Sequence, residues 1–289
     1  GLSGADDPRG TMKPLTVVFR PDLGPAVGMG HAARCAAIAR ALAPPKARAV
    51  FLLPRSCRPS GMRGLRVLRL RRDDQARREA AETASLLLRL RPALFVADSY
   101  GFAPRYFEIL RGRVPSVPVL AFDDGWKEVP KPVFGVLALG FHADPRRYPA
   151  DILSRSAVGA RFLPLRKAVT DSARSRPRAA VERVLVTMGS GDPERQTSRI
   201  VRLLGEISGP RRIDVILGRW HGADAVAAAG ARADARVRIH RDPPDLPGLM
   251  SRADLAVTAG GVTCGELACL GVPALVLTTA ANQLPSARR

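Results

Sequence analysis

Short apolar runs alternate with helical patterns along the chain, and this alternation constrains the fold more than any other feature. Runs such as LTVVFR from Leu15, ALFVADSY from Ala93 and RVLVTMG from Arg183 are nearly continuous in apolar character. Such runs are typical of parallel strands that are buried on both faces of a sheet. Segments with helical spacing, such as HAARCAAIARAL from His31, lie between them. The pattern predicts an α/β protein with doubly wound, Rossmann-like parallel sheets.

Two such domains facing a cleft are predicted, because the 289 residues are enough for two cores. We assign residues 13–164 to the first domain and 183–289 to the second, with the Arg-, Ser- and Pro-rich residues 165–182 as a linker. Residues 1–12 have no hydrophobic pattern and are set aside as a disordered or artificially added lead-in. Because the chain ends directly after its last predicted strand, we expect a truncated second domain without the helix that should cover its sheet.

The net charge of +20 invites a nucleic-acid interpretation, since a basic surface attracts phosphate. Only five of the 46 basic residues are lysines, however, and the densest basic run, from Arg58 to Ala80, has no aromatic residue on which a base could stack. A nucleic-acid partner is therefore disfavoured relative to a solvated surface or an attraction for anionic small molecules.

No run approaches the roughly 20 apolar residues needed to span a bilayer, and no signal-peptide pattern is visible. The four cysteines form no CxxC pair and have no histidine at metal-ligand spacing. These features predict a reduced, cytoplasmic protein that is not inserted in a membrane and has no zinc site. No other metal or cofactor is expected, and the sequence leaves the oligomeric state open, with a monomer favoured.

Glycine-rich turns lead from strands into helices at several places. In MGSGDPERQTSRI, the residues Gly189, Ser190 and Gly191 lie at such a turn, where backbone N–H groups at the start of a helix attract anions. These residues could cradle a phosphate. An ordinary tight turn explains this segment equally well.

The segment TAGGVTCGELACLG from Thr258 is more specific. Gly260 and Gly261 end a strand, Thr263 falls in the first helical turn, and Glu266 lies one turn further in. The helix start and the hydroxyl suit a phosphate, and a carboxylate at that depth suits the vicinal hydroxyls of a ribose. The alternative for Glu266 is stabilisation of the first helical turn through the macrodipole.

The turn GMGHAARC places Gly28 and Gly30 before His31 in the first domain. An imidazole at a helix N-terminus tends to stay neutral near pH 7 and can take a proton. Taken alone, His31 is more often a capping or structural residue. Ala33 stands where the third glycine of a G-x-G-x-x-G dinucleotide fingerprint would be, which argues against a nicotinamide cofactor.

Polar side chains follow several first-domain strands, at the edge where open α/β sheets bind ligands. These side chains belong to Arg20, Asp22, Asp98, Tyr100, Asp123 and Asp124. Adjacent carboxylates point in different directions from a strand, so Asp123 and Asp124 do not predict a metal site. Helix capping or turn formation is the favoured role for Asp124.

The order of these motifs resembles one family. FRPD, GMGHAARCAAIARAL, ADSYG, FDD, VTMGSGD, LMSRADLAVTAGGVTCGELACLGVPALVL and NQ are similar to segments of the UDP-2,4-diacetamido-2,4,6-trideoxy-β-L-altropyranose hydrolases of pseudaminic acid biosynthesis. Related nucleotide-sugar enzymes of the glycosyltransferase-B fold share part of the pattern. The resemblance runs from Val17 to Gln283, and it implies this fold, a UDP-sugar substrate, release of UDP by water, and no metal.

The resemblance also implies residue roles. His31 would activate the attacking water, with Asp22 as our candidate to orient it, and Tyr100 would face the sugar. The resemblance further implies that diphosphate, ribose and sugar are held by Gly260, Gly261, Thr263, Glu266, Asn282 and Gln283. From their positions at strand ends and glycine turns, we add as substrate-binding candidates Arg20, Gly28, Gly30, Asp98, Gly189, Ser190 and Gly191. The chain departs from the family at Pro21, where a serine is common, and at Ser99, where a histidine is common. The second departure leaves the identity of the sugar open.

Two other functions remain open from the sequence. A glycosyltransferase of the same fold would use His31 to deprotonate an acceptor hydroxyl instead of water. A non-catalytic protein would bind a nucleotide sugar or nucleic acid without turnover.

Overall fold

The described part of the chain forms two α/β units, each built on a parallel sheet. This confirms the predicted fold class. The structure is a computed structural model, and it describes residues 14–25, 27–42, 47–55, 57, 62–71, 76–124, 132–172, 180–192, 195–222 and 234–288. The side chains of residues 76, 77 and 282 are not described.

Within these residues, the first sheet has seven parallel strands in the order β3-β2-β1-β4-β5-β6-β7. The strands are β1 (Leu15–Pro21), β2 (Ala47–Pro54), β3 (Arg66–Leu70), β4 (Leu94–Asp98), β5 (Val119–Phe122), β6 (Gly135–Ala138) and β7 (Ala157–Val158). The accompanying helices are α1 (Gly30–Ala41), α2 (Ala76–Leu90), α3 (Pro104–Arg113) and α4 (Ala150–Leu153), with 3₁₀ turns at Pro145–Arg147 and Ala160–Phe162.

The central strand β1 is buried on both faces because successive side chains of a strand point to opposite sides. Val18 packs with Phe95 and Leu87 in the core beneath α2 and α3. Phe19 packs into the core on the α1 side, where its ring stacks on that of Phe51 with centroids 5.0 Å apart. An apolar run with no polar face is therefore what this position in the sheet requires.

The second sheet has five parallel strands in the order β10-β9-β8-β11-β12 among the described residues. They are β8 (Arg183–Thr187), β9 (Arg212–Leu217), β10 (Val237–Arg241), β11 (Leu255–Ala259) and β12 (Ala274–Leu277). The helices are α5 (Lys167–Thr170), α6 (Gln196–Gly205), α7 (Leu246–Arg252), α8 (Val262–Cys269) and α9 (Leu284–Ala287), with a 3₁₀ turn at Ala281–Gln283.

Some elements differ from the sequence-based expectations. β3 lies inside the arginine-rich run, where Arg66 and Arg69 are exposed because β3 is an edge strand. The two short strands β6 and β7 also went unpredicted. Val169 of the expected linker is fully buried among second-domain residues such as Leu185 and Leu267. The short helix α9 follows the last strand.

In the part of the chain that the structure describes, no helix combines the length and the apolar character needed to cross a bilayer.

Candidate active site

The two central strands of the first sheet bring distant residues together at its carboxyl edge. β1 pairs with β4 in a register that places Pro21 opposite Asp98. The strand order reverses between these two strands, and such a switch point opens a crevice beyond the strand ends. The turn after β1 and the turn after β4 therefore meet at the same place.

The turn after β1 delivers His31 into this crevice. Gly28 adopts a left-handed φ of +83°, a conformation that favours glycine, and α1 begins two residues later. His31 stands in the first turn of α1 and is 5% exposed. Its side chain is thus held by its surroundings before any ligand arrives.

The His31 ring is hydrogen-bonded to a buried carboxylate. The Nδ1 atom of His31 lies 2.6 Å from Oδ1 of Asp98, and Asp98 is fully buried. Among the described residues, no hydrogen-bond partner is present at Nε2 of His31. Burial lowers the pKa of His31, but the nearby Asp98 carboxylate outweighs burial and leaves the pKa above its ordinary value. The carboxylate fixes the ring and leaves Nε2 as the nitrogen able to exchange a proton.

The guanidinium of Arg34 holds Asp98 from the other side. It donates from Nε to Oδ2 of Asp98 over 2.7 Å and from one terminal nitrogen to Oδ1 over 2.6 Å. Its other terminal nitrogen lies 2.8 Å from Oδ1 of Asp124, and the group stacks 4.2 Å above the Phe122 ring. Burial raises the pKa of Asp98, but Arg34 and His31 prevail and hold it well below the ordinary value.

Tyr100 closes the cluster on the side of the cleft. Its hydroxyl donates to Oδ2 of Asp124 over 2.5 Å, and its ring meets the His31 ring edge to face with centroids 4.5 Å apart. Burial works against the charged form of Asp124, yet Arg34 leaves the pKa of this carboxyl lowered. Asp124 is therefore an ionised acceptor for two side chains. Its predicted role in capping or in a turn involves the loop at residues 125–131, which lies outside the described residues.

Two other predicted site residues are engaged elsewhere. Asp22 accepts hydrogen bonds from the Ser99 hydroxyl (2.7 Å), the Tyr100 amide (3.2 Å) and Arg20 (3.2 Å), so the prediction that Asp22 orients His31 is wrong. Arg20 is 3% exposed and donates to Glu79 over 2.7 Å. Arg20 thus anchors α2 beneath the sheet edge instead of facing a ligand.

The second domain touches this region directly. The Met29 amide at the start of α1 donates to the Ser190 hydroxyl over 3.1 Å. A Cβ on Gly28 would lie 2.9 Å from the same oxygen, and one on Gly30 would lie 3.4 Å from a methyl group of Val262. Both predicted glycine turns and the start of α8 therefore converge where the two domains meet.

Close backbone packing shapes the turn that carries Ser190. A Cβ on Gly218 would collide with the Gly189 carbonyl oxygen, and the Trp220 amide donates to the Ser190 carbonyl over 2.8 Å. Asp192 accepts from the amides of residues 196 and 197 at 2.9 and 2.6 Å, which satisfies two N–H groups in the first turn of α6. Gly189 and Gly191 belong to this turn, and Trp220 packs against the first-domain core.

At α8, Glu266 is already paired. Arg166 donates to both of its carboxylate oxygens, over 2.7 and 2.8 Å, and Glu266 is 5% exposed. Gly261 is exposed and Thr263 is half-buried at the start of the helix. The helix start is open, whereas the carboxylate behind it is occupied by a residue from the predicted linker.

Gln283 serves as a tie between strand ends. Its side-chain oxygen accepts from the amides of Gly260 (3.2 Å) and Thr279 (2.9 Å). It thereby joins the segments that follow β11 and β12. The side chain of Asn282, the other residue of the predicted pair, lies outside the description.

Sequence reasoning missed Arg34, Arg166 and Trp220. Arg34 carried a usable signal, since it stands one helical turn after His31 and shares its side of α1. Arg166 and Trp220 lie in a linker and a loop, where no local pattern marks a partner far along the chain. Their contacts depend on the placement of both sheets.

The contact at Gly28 can be tested by substitution. Gly28→Ala is expected to lower the free energy of unfolding by more than Gly64→Ala, because both alanines meet a left-handed backbone, which costs about 1–2 kcal/mol, but only residue 28 also has a neighbour within 4 Å. Urea denaturation of the two variants gives the comparison. Equal losses in both variants would contradict the close approach of Ser190.

Chemically, the arrangement offers one proton acceptor, His31, oriented by a buried carboxylate at the junction of two domains. Backbone N–H groups at α8 and the Ser190 turn offer an electropositive surface on the opposite side. Such a junction suits an elongated anionic ligand with a reactive centre near His31.

Sequence comparisons relate only part of the chain to a known protein. No family model matches the chain. A 107-residue stretch is 27% identical to the spore coat polysaccharide biosynthesis protein SpsG of Bacillus subtilis, covering 36% of this chain and 32% of that protein. The matched stretch thus spans about a third of the length of this relative.

Three solved structures are similar across both domains. MurG of Acinetobacter baumannii has a TM-score of 0.59 and 18% identity, covering 95% of this chain and 83% of that one. The spinosyn rhamnosyltransferase SpnG has a TM-score of 0.62 and 16% identity, with coverages of 95% and 83%. UGT89C1 of Arabidopsis thaliana, complexed with UDP-L-rhamnose, has a TM-score of 0.66 and 14% identity, with coverages of 96% and 82%. The chain therefore has the glycosyltransferase-B type of fold.

Proposed function

We propose that this protein is a nucleotide-sugar hydrolase that releases UDP from a UDP-linked 2,4-diacetamido-2,4,6-trideoxy sugar, in the biosynthesis of pseudaminic acid. The observation that carries the proposal is the pairing of His31 with the buried Asp98 beside the contact between the two domains. Related support comes from a relative named for polysaccharide biosynthesis and from a structural neighbour solved with a UDP-sugar.

In this proposal the second domain binds UDP. Gly260 and Gly261 let the diphosphate approach the backbone closely, while the start of α8 with Thr263 and the turn at residues 189–191 supply N–H and hydroxyl donors to it. Ribose hydroxyls bind Glu266 and replace Arg166 on its carboxylate. The sugar then projects toward the first domain, with Tyr100, Asn282 and Gln283 around it.

The reaction begins with a water molecule at His31. Nε2 takes one proton of the water as its oxygen forms a bond to the anomeric carbon. The bond between that carbon and the phosphate oxygen breaks, and its electron pair leaves with UDP. Donors placed at the diphosphate stabilise the developing negative charge, while Asp98 stabilises the imidazolium that forms on His31.

The test is release of UDP from a panel of UDP-amino sugars, each assayed with and without a hydroxyl acceptor. Release without an acceptor supports hydrolysis, and the preferred sugar identifies the substrate. If no UDP is released from any donor under either condition while UDP binds, the protein is a binding protein and the catalytic proposal fails.

A glycosyltransferase is the second candidate, and the fold supports it, since solved neighbours include a named rhamnosyltransferase. His31 would then deprotonate an acceptor hydroxyl in place of water. The same assay separates the two functions, because a transferase releases UDP at a substantial rate only when the acceptor is present.

The pH dependence of UDP release follows from the state of His31. A general base must be neutral, so kcat/KM is expected to rise with pH and to reach half its plateau above pH 6.5, because Asp98 raises the pKa of His31 from its ordinary value. Asp98 stays ionised throughout this range, since its own pKa is held far below it. A pH profile that falls from pH 6 to pH 8 would contradict a neutral base.

A further inference from the structure

The groups around His31 form a closed, charged cluster that the proposed reaction uses only in part. Asp98 on β4, Arg34 on α1 and Asp124 after β5 are joined by hydrogen bonds of 2.6 to 3.2 Å. Asp98 and Arg34 are buried, and 16% of the Asp124 side chain is exposed. Two carboxylates and one guanidinium leave one net negative charge around a neutral imidazole.

We propose that Arg34 and Asp124 are positioning residues for His31: Arg34 clamps Asp98 in the plane that receives the Nδ1 proton, and Asp124 anchors both Arg34 and the phenol of Tyr100. This inference rests on the proposed function, in which His31 is the base. Neither residue reaches a reacting atom in that mechanism, and each acts through another side chain.

The clamp on Asp98 is directional. Arg34 forms parallel bonds to both carboxylate oxygens, a fork geometry that fixes the plane of the acceptor. Oδ1 accepts from Arg34 and is shared with His31 Nδ1, so the carboxylate cannot rotate away without losing two charge-assisted bonds. A lysine at residue 34 would supply the charge without this fork.

Asp124 is the second anchor, and it links Arg34 to Tyr100 on the cleft side of the cluster. It accepts from Arg34 through both oxygens and from the Tyr100 hydroxyl, whose ring packs edge to face on His31. One carboxylate thereby holds the imidazole through its nitrogen, and the other fixes the tyrosine whose ring makes the edge-to-face contact with the imidazole.

Electrostatics give Arg34 and Asp124 opposite effects on His31. Burial and the Arg34 charge lower the pKa of His31, whereas the Asp98 and Asp124 carboxylates raise it. Among the described residues, the other titratable groups facing the cluster include the Tyr100 phenol, His142, whose Nε2 bonds the Asp124 carbonyl, and Cys35. Burial raises the pKa of Cys35, whose Sγ lies 3.5 Å from Asp98. When His31 takes a proton from water, its positive charge balances the net negative charge of the cluster. The protonated imidazole is therefore not an unpaired buried charge.

The opposite signs provide the test. In the free protein, the pH titration of the His31 ring resonances is followed by NMR in Arg34→Gln and Asp124→Asn, with resonances assigned by their loss in His31→Gln. We expect the pKa of His31 to rise in Arg34→Gln and to fall in Asp124→Asn. Asp123→Asn is the control: it removes the neighbouring carboxylate, which accepts from the Tyr148 hydroxyl. We expect this variant to leave the pKa of His31 unchanged.

The midpoint of the pH profile of UDP release should move in the same two directions, with kcat reduced about 10-fold or more by loss of orientation. If Arg34→Gln does not fold, Arg34→Lys replaces it and should lower kcat while keeping the midpoint close to that of the native protein. Shifts of one sign in both charge-removing variants, or no shift in folded protein, overturn the inference. If the pKa of His31 moves in opposite directions in the two variants but no UDP is released, the roles of Arg34 and Asp124 toward His31 stand and the proposed function is rejected.

Discussion

Replacing His31 by glutamine is expected to lower the rate of UDP release about 10²- to 10⁴-fold, the range typical of removing a general base. Glutamine keeps a donor near Asp98 but cannot take a proton. Because His31 lies in the first domain while the assigned UDP-binding groups lie in the second, the affinity for UDP should change little. Steady-state rates and calorimetric binding of UDP measure the two quantities separately.

The control for this prediction is His142→Gln, which alters a histidine that bonds the Asp124 carbonyl and the Ser286 hydroxyl outside the reacting centre. A similar loss of rate in both variants would indicate a general structural effect. Retention of more than about a tenth of the native rate in His31→Gln is incompatible with base catalysis of the usual size, and would assign the base to another group.

Replacing Asp98 by asparagine is expected to have the second large effect, acting on both rate and stability. An asparagine amide turned toward His31 donates to Nδ1, which moves the ring proton to Nε2 and blocks the acceptor; such a change of tautomer costs up to about 10⁴-fold in known hydrolases. The variant also removes one of the two carboxylates that pair with the buried Arg34. Breaking such a buried ion pair lowers the free energy of unfolding by about 3–5 kcal/mol. UDP release and urea denaturation are the measurements.

Asp22→Asn is the matched control, since Asp22 lies at the same sheet edge but bonds Ser99 and the Tyr100 amide. We expect a much smaller loss of rate in this variant. If Asp22→Asn and Asp98→Asn lose rate equally while both remain folded, the assignment of Asp98 as the residue that orients His31 is wrong.

The fold was largely predictable because its signals are local. Buried parallel strands must be apolar on both faces, so β1, β4 and β8 could be recognised from short windows of sequence. The edge strand β3 was missed for the same reason, since its outer side is solvated and its arginines hide the pattern. Helix periodicity is equally local, and α1 lies where the spacing in HAARCAAIARAL predicts it.

The members of the candidate site were only partly predictable. His31, Tyr100 and Asp98 stand at strand ends or helix starts, so their convergence at one sheet edge follows from the parallel topology. Which carboxylate faces the imidazole did not follow, and the sequence analysis favoured Asp22, which lies two residues beyond the first predicted strand. Arg34 was overlooked because a buried arginine is meaningful only beside its carboxylates.

By itself, the sequence determined two parallel sheets, the glycine turns at their carboxyl edges and a histidine at the start of α1, because backbone sterics and burial patterns act over a few residues. Only the tertiary structure decided that Asp98 pairs with His31, that Asp124 accepts from Arg34, and that Arg166 donates to Glu266. These pairs join residues between 67 and 100 positions apart. Their choice depends on strand register and on the contact between domains, since a buried charge is stable only where folding places its partner within hydrogen-bond distance.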